Sequence, residues 1–101
     1  MTIRTESVSD QEVAIILDKQ FDFNCVEDFR RAYEHPDRAN KKQYTIDFKF
    51  TQYIDSSALG MLINLQKKVA ESGGKVRLTN PSDQVKKLYA ISRFDKKFDI
   101  Q

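Results

Sequence analysis

Between Tyr44 and Thr79 the chain changes its hydrophobic period twice, from two residues to 3.6 and back. Tyr44, Ile46, Phe48 and Phe50 alternate with Thr45, Asp47 and Lys49, the period of a strand with one covered face. Leu59, Leu62, Ile63, Leu65, Val69 and Ala70 then recur at helical spacing, and Gly73-Gly74 follows them, as at a helix C-terminus. Val76 and Leu78 alternate again with Lys75, Arg77 and Thr79. Strand, crossover helix and strand make a parallel βαβ unit with a right-handed connection. Such a chain is committed to an α/β sheet with helices packed on it.

The flanks add to this unit. Ile3, Thr5 and Ser7 alternate with Arg4 and Glu6 in a first strand, and Val8-Ser9-Asp10-Gln11 reads as a turn. Val13 to Leu17 is short and continuously apolar, the mark of a strand covered on both faces. Asn24, with Glu27 three residues on, resembles a capping box. Val26, Phe29 and Tyr33 mark a helical face that Pro36 closes. Asn80-Pro81-Ser82 turns into a last helix, with Ser82 as its N-cap and Val85, Leu88 and Tyr89 facing inward. Arg93 to Gln101, with Phe94, Phe98 and Ile100, is expected as a short helix or extended tail. The order is ββαβαβα, and 101 residues suit one core and one domain, 1–101.

Several function classes fall away. Lys and Arg outnumber Asp and Glu by 17 to 15, too small and scattered an excess to point to direct nucleic-acid or membrane binding. The densest basic run, Arg38-Ala39-Asn40-Lys41-Lys42, reads as a solvated loop. No stretch approaches the roughly 20 apolar residues of a membrane span, and Met-Thr-Ile-Arg-Thr-Glu at the start lacks the apolar core of a secretory signal. The single cysteine, Cys25, allows no internal disulfide, so a cytoplasmic protein is expected.

Catalysis is not expected either. The single histidine, His35, and Cys25 lie ten residues apart, about 15 Å along one helix, and cannot meet. Cys25 reads as a small core residue and His35 as a helix-end residue. The sequence has no metal-ligand cluster, and three glycines make no phosphate loop, so no cofactor or metal is expected.

Asp55-Ser56-Ser57 differs because of where it falls. It joins a strong strand to a strong helix, at the carboxyl end of a parallel strand where open α/β sheets meet ligands and partners. The triplet can simply cap the helix, since Ser and Asp are common N-caps. It can equally present a hydroxyl for modification. A phosphate there would bring roughly −1.5 to −2 charges beside unpaired N–H groups and the positive end of the helix dipole.

"IDSSALGML", with the strand "YTIDFKF" before it and "SGG" after its helix, resembles the STAS domain of anti-sigma factor antagonists. The likeness spans almost the whole chain. It takes in Phe21-Asp22 ahead of the first helix and the closing "NPSDQVKKLYAISRFDKKFDI". The resemblance implies a small mixed β-sheet of four to five strands with helices packed against it. It also implies a bacterial, non-catalytic regulator that works by partner switching. A serine kinase of the anti-sigma type binds the antagonist, phosphorylates the serine after the aspartate and is released, and a serine phosphatase restores binding. That serine is Ser56 here, with Asp22, Asp55 and Ser57 supporting it. The strand ends that bring Asp22, Asn24, Asp55, Ser56 and Asn80 to one edge, and the helix that follows, give Asn24, Ala58, Gly60, Met61, Asn64 and Asn80 as the expected partner-binding residues. Met61 is read either as an adaptable partner surface on the exposed side of its helix or as a residue filling a gap in the core. A monomer is expected, with an output in transcription, biofilm formation, motility or stress.

Two departures mark a branch of the family: Ala58 stands where glycine is frequent, and Asp18-Lys19 where a strand commonly ends in glycine. A STAS-like subunit docked constitutively on a transporter or signalling complex is the alternative. A receiver-like domain phosphorylated on Asp55 would need an acidic metal cluster, for which Asp18 with Asp22 is a poor substitute.

Overall fold

The computed structural model describes residues 3–35, 41–92 and 98–100. In chain order it contains β1 (Arg4–Ser9), β2 (Glu12–Ile16), β3 (Gln20–Phe21), a 3-10 turn (Phe23–Cys25), α1 (Val26–Glu34), β4 (Gln43–Asp47), β5 (Tyr53–Ile54), α2 (Ser56–Glu71), β6 (Lys75–Thr79), α3 (Asp83–Ser92) and β7 (Asp99–Ile100). Among the described residues the main sheet has five strands in the order β1-β2-β4-β6-β7. β1 is antiparallel to β2, and β2, β4, β6 and β7 run parallel. The sheet is therefore mixed. The expected α/β architecture is present, with two additions. β3 and β5 pair as a separate parallel ribbon, and the expected tail contributes strand β7.

The period-2 pattern places Val13, Ile15, Tyr44, Ile46, Val76 and Leu78 on one face of the sheet, where they join Phe29, Leu62, Leu65 and Val69 in a single core. The other face carries Glu12, Thr45 and Arg77, all half-buried, and Thr45 Oγ1 donates to Glu12 Oε2 at 3.2 Å. Helices on one side and water on the other explain the clean alternation, and they correct the expectation for β2, whose burial alternates over Glu12 to Ile15 instead of covering both faces. Only the end of β2 departs from it: Ile16 and Leu17 are both buried.

Phe21 ties the small ribbon to this core. Its ring stands 5.0 Å from Phe29 and 6.4 Å from Phe48, and Phe48 stands 5.9 Å from Tyr89, all edge to face. Such pairs contribute about 0.5–1.5 kcal/mol each beyond burial. The strand expected over Tyr44 to Phe50 ends early. Phe48 N–H still donates to Thr79 O at 2.9 Å, but Thr51 N–H then donates back to Phe48 O at 2.9 Å. The turn throws Phe50 outward, 47% exposed.

Gly73-Gly74 ends α2 as the sequence implies. Gly73 has φ 77°, its N–H donates to Ala70 O at 3.0 Å, and Gly74 N–H donates to Val69 O at 2.9 Å, the paired bonds of a Schellman cap. A Cβ on Gly74 would lie 2.7 Å from Val69 Cγ1 and 2.8 Å from Lys42 O, so the second glycine serves close packing. Lys42 Nζ also donates to Ser72 O at 2.6 Å. Arg38 to Asn40 of the basic run, Pro36, and Arg93 and Phe94 of the tail lie outside the described residues, as does the side chain of Leu88.

Candidate functional site

The register of the small ribbon builds the site. Gln20 pairs with Tyr53 and Phe21 with Ile54, so the next residues, Asp22 and Asp55, leave the two strands side by side. Ile54 is buried and Tyr53 is 44% exposed, as alternation requires. The half-buried carboxylates of Asp22 and Asp55 emerge at the carboxyl edge.

Each carboxylate caps the element that follows it. Asp22 Oδ1 accepts from Asn24 N–H at 3.0 Å and starts the 3-10 turn. Asp55, extended at φ −118° and ψ −178°, accepts from Ala58 N–H through Oδ1 at 3.0 Å and starts α2. Acidic groups at a helix start satisfy orphan donors and oppose the positive end of the dipole. The capping role expected for Asn24 therefore belongs to Asp22. Asn24 sits one residue too early for α1, whose N-cap position is held by Cys25 without a side-chain bond.

Ser56 is the first residue of α2 and is exposed; Ser57 is the second and half-buried. Of the Asp55-Ser56-Ser57 triplet, Asp55 is therefore the N-cap and both serines lie in the first turn. Gly60 and Asn64, one turn apart, are also exposed, and a Cβ at Gly60 would touch nothing within 4 Å. Met61 is a correction. It is 8% exposed and belongs to the core, as does Ala58 at 0%. Ala58, Met61, Leu65 and Val69 form one helical stripe at spacings of three and four, so α2 buries a broader arc than the stripe assigned from sequence. Neither side chain forms part of an accessible surface.

Asn80 is exposed, with φ 55°, and its Nδ2 donates to Asp47 Oδ1 at 3.1 Å. It closes the junction of β6 with β4 and makes no described bond to Asp55 or Ser56. Sequence reasoning missed Phe23, 69% exposed immediately after Asp22. The signal was an aromatic inside a capped turn, outside either periodic pattern.

Cys25 lies beneath the edge, 1% exposed. Its thiol lies 3.5 Å from Gln20 O and 3.9 Å from Asp22 Oδ1, and burial pushes its pKa up, with the neighbouring acids adding to the rise. A protonated buried thiol is a poor nucleophile. Among the described residues no group of His, Cys, Asp and Glu could hold a metal, and no helix is long and apolar enough to cross a membrane.

The family model described as STAS domain matches residues 3–101. A STAS-domain containing protein of Pseudomonas aeruginosa (strain UCBPP-PA14) is 38% identical over 94 residues, 93% of this chain and 92% of that protein. The structure of the anti-sigma factor antagonist SpoIIAA in its unphosphorylated form superposes with a TM-score of 0.79 at 21% identity, covering 99% of this chain and 87% of that one. The phosphorylated form, described as a Bacillus cell fate determinant, gives 0.77 over 99% and 91% at the same identity. A sulfate transporter family protein from Wolinella succinogenes gives 0.76 at 14% identity, over 90% and 74%.

Proposed function

This chain belongs to the STAS domain family, and from that premise we propose that it is a non-catalytic partner-switching regulator of the anti-sigma factor antagonist type. Unphosphorylated, it binds a serine kinase of the anti-sigma class, and phosphorylation of Ser56 ends the association until a phosphatase acts. The observation that carries this reading is the exposed Ser56 hydroxyl at the first position of α2, beside two carboxylates that are already engaged as caps.

The physics of the switch follows from that placement. A phosphate at a helix N-terminus gains about 0.3–1 kcal/mol from the dipole, so it does not melt α2. That helix is held by Ala58, Leu59, Met61, Leu62, Leu65 and Val69 in the core, and burying a large apolar side chain is worth about 1.5–3 kcal/mol. Against a docked partner the same charge must be desolvated or must face like charge, at a cost of several kcal/mol. A few kcal/mol changes affinity by about 100-fold. The near-equal likeness of this fold to both forms of SpoIIAA supports a switch that acts by charge and shape, without refolding.

The test is intact mass of the protein from its own cells, with and without phosphatase, followed by mapping of the modified residue. One phosphate on Ser56 is expected, with Ser56→Ala fixed in the binding form and Ser56→Asp in the released form. Phosphate on Ser57 instead would overturn the assignment. A protein never phosphorylated but permanently bound would be a static docking subunit, the alternative that the transporter-family fold likeness keeps in view.

A further inference from the structure

Two open cavities of about 470 and 420 Å³ meet on the surface that leads to Ser56. The first is lined by Arg4, Leu17, Asp18, Lys19, Phe50 and Gln52. The second shares Asp18, Lys19 and Gln52 and continues to Gln20 and Tyr53. Together they form one groove from the free edge of the main sheet at β1 to the start of the small ribbon. Alternation along β3 and β5 puts Gln20 on the face of Asp22 and Tyr53 on that of Asp55, so the groove runs out onto the edge that carries Ser56.

Its chemistry differs from that edge. Among the described residues, no acidic side chain pairs with Arg4 or Lys19. The Arg4 guanidinium lies 5.4 Å from the centre of the Phe50 ring, and the residue is exposed. Asp18 is the acid in the groove, and its Oδ1 accepts the Lys19 N–H at 2.8 Å. Lys49, also 5.4 Å from the Phe50 ring, is paired with Asp47 at 3.6 Å. Phe50 and Tyr53, 47% and 44% exposed, add two aromatic surfaces of the kind enriched at interfaces. Exposed side chains make up most of the lining, so a small molecule would stay mostly in water. A chain segment lying along the groove would cover it.

We infer that this groove docks an extended acidic segment of the protein partner, with its carboxylates on Arg4 and Lys19 and an apolar side chain against Phe50 and Tyr53. The inference rests on the partner-switching reading and deepens it. Ser56 is not among the residues that line the groove, so the groove is an anchor beside the phosphorylated edge and not part of it.

The probe is a capped peptide of alternating glutamate and phenylalanine, titrated at low salt into the full ¹⁵N-labelled chain. Saturable shifts are expected at residues 4, 18–20 and 49–53. Arg4→Glu with Lys19→Glu should weaken binding at least about tenfold, while Lys67→Glu with Lys86→Glu, also exposed, should not. Dispersed spectra of both double variants establish that each is folded. Shifts absent at the groove, equal weakening by both pairs, or equal binding of an oligolysine peptide would overturn the inference. Ser56→Asp should keep the same groove shifts and weaken peptide binding less than Arg4→Glu with Lys19→Glu does. Failure at the groove therefore leaves the Ser56 reading standing, and failure of phosphate mapping leaves the groove result interpretable.

Discussion

Asp55 shows how one side chain serves both fold and site. Its Oδ1 holds the Ala58 N–H at 3.0 Å while its charge stands beside that of Asp22. Substitution separates the two roles. Asp55→Ala should cost about 1 kcal/mol in urea unfolding through the lost cap, and Asp55→Asn only a few tenths, because the amide oxygen still accepts. Asn as costly as Ala would mean that charge, and not acceptor geometry, holds the helix start. At this scale the sequence was legible where a residue has few options. Asp-Ser-Ser at a strand-to-helix junction marks both a cap and an exposed hydroxyl, and Gly73 announces its φ of 77°. Met61 was not legible, because nothing local distinguishes a thioether that fills a core from one that faces water.

Among the elements, the long periodic ones could be read and the shortest could not. β4, α2 and β6 carry enough residues for a period to register, whereas β2 was marked only by its apolar run, which hid the face it leaves uncovered. β3 and β5 have two residues each, and no alternation can be counted over two. Yet that ribbon sets Asp22 against Asp55, so the part of the fold that positions the site is the part the pattern hides. α2 also offers a test on its open side. Gly60 lies within the helix with nothing within 4 Å of a Cβ placed there. Gly60→Ala should therefore raise stability by about 0.5–1 kcal/mol and shift the thermal midpoint upward. If the proposed partner packs on this face, the same change should lower its affinity. A more stable protein with unchanged partner affinity would remove Gly60 from the interface.

Over the whole molecule, burial sets the alkaline limit of stability. Burial drives the pKa of Tyr89 far above its usual value of 10.0, and raises Tyr33 and Tyr44 as well. The folded state thus keeps a proton that the unfolded chain gives up. Stability from Tyr89 is complete below pH 10 and should fall above it by about 1.4 kcal/mol per pH unit. Unfolding of Tyr89→Phe followed between pH 9 and 11 should show a shallower slope, with a remainder from Tyr33 and Tyr44. An unchanged slope would assign the alkaline limit elsewhere. The paired acids have a different consequence, for the quality of the signal. Asp22 and Asp55 make the resting edge negative already, so on the proposed reading the two settings of the switch differ in how much charge they carry and not in its sign. The contrast between them then depends on the surrounding medium. Charge is felt over about 8 Å at physiological ionic strength and about 3 Å near 1 M salt. As salt rises the off state should leak, making the device an unintended gauge of osmotic condition.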